Sequence, residues 1–150
     1  MAQSSVEILI VEDNEADVFL TYTALRDAKI TNTISVVTNG EEAVAYLRCE
    51  GKYAEAVRPD IIFLDLNLPM RNGHEVLAVS KADPNLRAIP VVVVSGSNAE
   101  SDIARAYDEQ VAAYIVKPAS HEEYFTAIRA VKELWFHIVA LPAKHAESGT

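Results

Sequence analysis

The sequence predicts a doubly wound α/β fold built on a five-stranded parallel sheet, and three observations carry that expectation. Five short apolar runs alternate with longer segments of helical periodicity, the pattern of right-handed strand–helix–strand units. The third and fourth runs, DIIFLDL and IPVVVVS, are apolar at nearly every position, as strands covered on both faces must be. Polar residues gather just past four of the runs, at the strand ends where open α/β sheets place their working sites.

The elements follow in order. Residues 6–11 (VEILIV) are compact and mostly β-branched, hence a first strand. Asn14 is a good N-cap for a helix running to about Ala28, with Asp17 near its positive end. Ala16, Phe19, Leu20 and Ala24 recur there at helical spacing and are expected to form its core face. Residues 33–37 read as the second strand. Asn39 and Glu42 open a second helix whose Ala43, Val44 and Leu47 face inward, with Gly51 as its stop. Residues 60–66 form the third strand and residues 68–73 (LPMRNG) a turn. Asn72 and Glu75 then have the spacing of an N-cap and its reciprocal partner, and Pro84 ends the third helix. Residues 89–95 are the most strand-like run. Ser97 and Glu100 have the same capping spacing before a fourth helix carrying Ile103, Ala106 and Tyr107. Residues 111–116 are the fifth strand, and Ser120 with Glu123 opens a fifth helix.

Composition narrows the class. The 150 residues favour one domain, half are hydrophobic and 23% are charged, an ordinary globular balance. With 13 Lys and Arg against 22 Asp and Glu, the formal net charge of -9 repels phosphodiester backbones and argues against direct nucleic-acid binding. Cys49 is the single cysteine, so an internal disulfide is excluded and a reducing, cytoplasmic setting is expected. The N-terminus lacks a basic region and a long apolar run, and no 18-residue apolar stretch exists, so no membrane segment is expected. The expected organisation is one domain over residues 1–141, ending in a helical extension, with a disordered tail over residues 142–150.

Glu12 and Asp13 follow the first strand, Asp65 ends the third and Asn67 comes two residues later. Ser95 ends the fourth strand and Lys117 the fifth. Each alone has an ordinary reading: a turn or capping Asp, a helix-opening hydroxyl, a solvated lysine. Together they would bring three carboxylates, a hydroxyl and an ammonium to one sheet edge. Gathered carboxylates repel, and a hard divalent cation such as Mg²⁺ is the natural compensation.

These residues carry a resemblance. ILIVEDN, IIFLDLNLPMRNG, VVVVSGS and AAYIVKP, over roughly residues 6–137, resemble the receiver domain of two-component response regulators. VEDNEADVFLTYTALRDA, the long fifth helix with LWFHIV, and Leu141-Pro142 are similar to the response regulators that serve cyanobacterial-type phytochromes. The resemblance implies that Asp65 accepts a phosphoryl group from a histidine of a sensor kinase, of phytochrome type by the narrower likeness. It implies Mg²⁺ held by Asp13, Asp65 and the Asn67 carbonyl, with Glu12 acting mainly through water and Lys117 facing the phosphoryl oxygens. Ser95 would be the switch hydroxyl, and Tyr114 the aromatic that rotates inward when Ser95 moves. It implies further a cis Lys117–Pro118 bond, a tuning role for Asn67 and Ser97, and kinase docking on helix 1 near residues 16–20.

Fewer than fifteen residues follow the fifth helix, so a stand-alone receiver acting on an unidentified downstream protein, or on a second copy of itself, is expected. Tyr124, Ile128, Val131, Trp135 and Ile138 recur at spacings of 4, 3, 4 and 3, a stripe long enough to pack on the sheet. Phe125, Phe136, Val139 and Leu141 lie off it, and a helix apolar on more than one face usually meets a partner. Tyr124, Phe125, Trp135, Phe136, Val139 and Leu141 are thus the expected partner surface of a homodimer. Three other readings stand beside the receiver. A haloacid-dehalogenase-type phosphatase wants an acid where Asn67 stands, and a flavodoxin-like carrier wants a phosphate loop where Glu12, Asp13 and Asn14 stand. A receiver-like module that binds partners without phosphorylation is the alternative within the fold.

Overall fold

The computed structural model describes residues 6–28, 33–117 and 120–133. Five parallel strands lie in the order β2-β1-β3-β4-β5: β1 Glu7–Val11, β2 Thr33–Val37, β3 Ile61–Leu64, β4 Val91–Ser95 and β5 Ala113–Val116. The helices are α1 Glu15–Asp27, α2 Gly40–Arg48, α3 Gly73–Ala82, α4 Glu100–Asp108 and α5 His121–Lys132. The chain moves outward from β1 to β2, then returns to the other side of β1 to lay down β3. That reversal opens a crevice between β1 and β3 at their carboxyl ends, the place such sheets use for ligands.

Alternation along the strands splits the core in two. Leu9, Val11, Ile62, Leu64 and Val93 point to one face and meet Ala43, Val44, Leu47, Val76, Leu77 and Ala106 of α2, α3 and α4. Ile8, Ile10, Ile61, Phe63, Val92 and Val94 point to the other and meet Ala24, Leu25, Tyr124, Ile128 and Val131 of α1 and α5. Both central strands, β3 and β4, are buried along their whole length, as their apolar runs require. Asn14, Asn39, Asn72 and Ser120 cap their helices as expected, and Asn72 with Glu75 completes the reciprocal pair.

Several expectations need correcting. In α1 the inward face is Thr21, Ala24, Leu25 and Ala28, while Ala16 is exposed and Phe19 is 70% exposed. At about 100° per residue, Phe19 stands about 200° round the helix from Asp17, so the phase that aims Asp17 at Lys117 turns Phe19 to solvent. Helix α2 stops at Cys49, which takes the left-handed position itself, and Gly51 starts a short 3₁₀ turn, Gly51–Tyr53. Ser97 does not cap α4. Its N-cap is Ala99, and the Ser97 hydroxyl instead accepts from the Ala99 N–H and donates to Asp102. Tyr107 lies on the exposed side of α4, where only Ala106 is buried.

Tyr124 belongs to the core and not to a partner surface. It is 1% exposed, and its hydroxyl shares a 2.6 Å hydrogen bond with that of Thr21, tying α5 to α1. Phe125 is half-buried against the same cluster. Trp135, Phe136, Val139, Leu141, Pro118 and residues 142–150 lie outside the described residues.

One core position is imperfect. The Ser80 hydroxyl on α3 is buried with no hydrogen-bond partner among the described residues. Desolvating an unpaired hydroxyl costs about 1–3 kcal/mol. Ser80→Ala is therefore expected to raise the melting temperature, by about 2–4 °C for each kcal/mol recovered. A melting temperature below that of the wild type in calorimetry would count against the unpaired assignment.

Candidate functional site: an acidic cluster and a lysine at the switch point

Strand register builds the site. Val11 pairs with both Val37 and Leu64, so the residues after Val11 and Leu64 emerge side by side. The Glu12 N–H donates to Val37 O and the Asp65 N–H to Val11 O, each at 3.0 Å, so the pairing extends one residue into the site. Glu12 and Asp65 are buried while Asp13 is exposed at the rim, and ligand atoms of all three lie within 4.8 Å of one another. The Asn67 N–H donates to Asp65 Oδ1 at 3.1 Å, folding the following loop over that carboxylate.

Lys117 enters from the end of β5, held by its N–H bond to Ser95 O at 2.7 Å. Its Nζ lies 2.7 Å from Asp17 Oδ2, 3.0 Å from Glu12 Oε1 and 3.7 Å from Asp65 Oδ2. Burial alone would push the Lys117 ammonium down, but the Asp17 and Glu12 hydrogen bonds and the Asp65 charge outweigh it and hold the pKa above its ordinary range. Glu12 moves the other way. Burial, reinforced by the neighbouring Asp65 charge, raises its pKa to about 7 despite the bond to Lys117.

The charge balance states what the site lacks. Glu12, Asp13, Asp17 and Asp65 face one ammonium, and two of them are buried. Hard oxygen donors in a half-open cluster suit a Mg²⁺ ion, which prefers one or two carboxylates and retains waters. Glu12, Asp13 and Asp65 fit that ion, with the exposed side at Asp13 left for water.

A pH prediction follows for the metal-free protein. Glu12 titrates near 4.5 when unfolded and near 7 when folded. A raised carboxyl pKa means that the folded state holds its proton longer, so the stability contribution is complete below about pH 4.5 and is lost as pH rises through 7. In chelator, Glu12→Gln is expected to flatten the fall in melting temperature between those limits; an unchanged slope would refute the raised Glu12.

Ser95 is buried at the end of β4, in register with Val116. Its Oγ accepts from the Ser97 N–H at 3.2 Å, and the Ser97 carbonyl accepts from the Tyr114 hydroxyl at 2.9 Å. Tyr114 is half-buried against the α2–α3–α4 side of the core. Ser95 and Tyr114 are thus joined through one residue, Ser97. Asp17 is the site residue that the sequence reading passed over. Its one signal was a place in the first turn of the helix that follows Glu12 and Asp13. Acidic first turns also open α2, α3, α4 and α5, so that signal singles out nothing.

A five-stranded parallel sheet whose switch point gathers three carboxylates beside a strand-end lysine is the architecture of a response-regulator receiver. The family model for the response regulator receiver domain matches residues 8–129, and the chain belongs to that family. It is 38% identical over 136 residues to the response regulator Rcp1 of Synechocystis sp., covering 91% of this chain and 92% of that protein. Among solved structures, it resembles the phosphorylated cyanobacterial phytochrome response regulator RcpA, with 46% identity, a TM-score of 0.87, and 93% and 99% of the two chains covered. The Mn²⁺-bound form of Rcp1 gives 36% identity and a TM-score of 0.84, with 91% and 99% covered. The chain is a signalling protein of the receiver class. Among the described residues no helix is long and apolar enough to cross a membrane.

Proposed function

We propose that this receiver takes a phosphoryl group on Asp65 from a histidine of a phytochrome-type sensor kinase, with Mg²⁺ as cofactor, and acts as a phosphoacceptor and not as an enzyme. The observation that carries the reading is the buried Asp65 carboxylate, grouped with Glu12 and Asp13 within 4.8 Å and with Lys117 Nζ at 3.7 Å. Transfer to a carboxylate needs positioning and neutralisation of phosphoryl charge more than covalent help. Lys117 supplies a fixed ammonium. Asp13, Asp65 and the Asn67 carbonyl would hold the Mg²⁺, with Glu12 contributing mainly through water. Once bound, Mg²⁺ would neutralise charge on the phosphoryl oxygens.

Output runs through Ser95. A phosphoryl oxygen that attracts the Ser95 hydroxyl competes with the bond Ser95 Oγ accepts from Ser97, and movement of Ser97 releases the Tyr114 hydroxyl from its carbonyl. The kinase docks on the outer side of α1, where Phe19 is exposed, and the likeness to RcpA, a cyanobacterial phytochrome response regulator, supports that partner. A homodimer forms through β5, α5 and the residues beyond 133, including Trp135, Phe136, Val139 and Leu141. β5 is an edge strand with Val116 exposed, which supports that face. The protein acts in the cytoplasm, on an unidentified downstream protein or on a second copy of itself.

Intact-mass measurement after acetyl phosphate treatment tests the reading. One added phosphoryl group that requires Mg²⁺ is expected, with peptide mapping placing it on Asp65. No adduct in either condition would favour a module that binds partners without phosphorylation. A single monomeric elution volume with and without phosphoryl donor would remove the dimer.

A further inference from the structure

The geometry points to Asp17 as a positioning residue that holds Lys117 off the Asp65 carboxylate and aims its ammonium at the place an incoming phosphoryl oxygen must occupy; this rests on the phosphoacceptor reading of Asp65. An ammonium has three protons. Asp17, at 2.7 Å, and Glu12, at 3.0 Å, each engage one of them. Asp65 Oδ2 at 3.7 Å is outside hydrogen-bond distance, although its side chain is as buried as that of Glu12. A lysine facing two buried carboxylates would ordinarily close on both. Here Asp17 comes from a different element, the first turn of α1, and makes the shortest of the three carboxylate contacts of Nζ.

The standoff matters chemically. During transfer from acetyl phosphate, an Asp65 carboxylate oxygen forms the new O–P bond while the P–O bond to the acetyl group breaks and its electron pair leaves with acetate. Lys117 keeps its protons throughout. A hydrogen bond from Nζ to the attacking oxygen would occupy a lone pair the reaction needs. An ammonium held back in the gap meets the phosphoryl oxygens instead, which lie farther out than the carboxylate oxygen to which phosphorus bonds. Without Asp17 the remaining attractions on Nζ come from Glu12 and Asp65, and the gap is expected to close by about 1 Å. Misplacements of that size can cost up to about 100-fold in rate.

Initial rates of phosphorylation by acetyl phosphate, read by intact mass at saturating Mg²⁺, test the inference in the wild type, Asp17→Ala, Asp17→Asn and Asp17→Glu. A fall of roughly tenfold or more is expected for Ala and Asn, with most of the rate restored by Glu and Mg²⁺ affinity unchanged in titration. A metal-free crystal structure of Asp17→Asn, which keeps the side-chain volume, is expected to show Lys117 Nζ within hydrogen-bond distance of Asp65. Wild-type or faster rates in Asp17→Ala and Asp17→Asn would overturn the inference, and so would a Lys117 that stays in place. A wild type that accepts no phosphoryl group would end the proposed function, and the position of Lys117 in Asp17→Asn would then decide the inference.

Discussion

Asp65→Asn is expected to accept no phosphoryl group from any donor and, without metal, to be more stable than the wild type. The carboxamide keeps the shape and can still accept the Asn67 N–H bond now made by Asp65 Oδ1, so the loop after β3 keeps its anchor. It has no anionic oxygen to attack phosphorus. Stability moves the other way because Asp65 sits buried within 4.8 Å of Glu12 and Asp13, and its charge is one cause of the raised Glu12 pKa. Removing that charge lets Glu12 ionise at lower pH. It leaves Lys117 its two nearer partners, Asp17 and Glu12. A gain of about 1 kcal/mol at neutral pH in chelator is expected, the size commonly recovered when a functional site's strain is removed. Adding Mg²⁺ should stabilise the wild type far more than the variant. An adduct on the variant would remove Asp65 from its role, and a lower melting temperature in chelator would refute the electrostatic account.

That opposition between function and stability bears on how much the sequence disclosed. The strands were legible because burial on both faces leaves one kind of solution, a continuous apolar run, and IIFL and VVVV are nothing else. The strand-end residues were legible because the topology that follows from those runs brings strand ends together. Glu12, Asp13, Asp65, Ser95 and Lys117 all lie at that edge. Helix phase was less legible. Phe19 and Tyr107 fit an apolar stripe by spacing yet face solvent, Phe19 about 200° round α1 from Asp17 and Tyr107 about 100° round α4 from the buried Ala106. Periodicity reports a face and not what lies opposite it.

Tyr124 shows the converse. It stood on the buried stripe by spacing and is buried, but its hydroxyl made it equally suited to a wet interface until Thr21, 103 residues earlier, supplied a partner. Asp17 was hidden for a related reason. Its role depends on a 2.7 Å contact with a lysine 100 residues away, and first-turn acids are common at helix N-termini in this chain. Pairings across the fold cannot be read from local pattern. They become visible only once α1 and β5 have positions.

Gly73→Ala is expected to lose about 3 kcal/mol of stability and to slow phosphorylation as well, because Gly73 closes the loop that carries Asp65. A Cβ added there would lie 2.4 Å from Leu66 Cα and 2.5 Å from the Asp65 carbonyl oxygen. Both are backbone atoms, so no side-chain rotation relieves the overlap. The Gly73 N–H also donates to Leu66 O at 2.9 Å, so the approach that excludes a methyl group is the one that makes this bond. Relief requires the segment after β3 to move outward, carrying Asp65 and Asn67 away from Glu12, Asp13 and Lys117. Gly40 guards the same loop from α2: its Cβ would meet the Arg71 carbonyl oxygen at 1.9 Å, and its N–H donates to Pro69 O. Gly96 supplies the control, since a Cβ there meets nothing within 4 Å. A melting-temperature fall of about 6–12 °C is therefore expected for Gly73→Ala and almost none for Gly96→Ala. Equal melting temperatures for the two variants would mean that the loop is not packed against Gly73 as described. A destabilised Gly73→Ala that is phosphorylated at the wild-type rate would show that Asp65 is held by β3 alone.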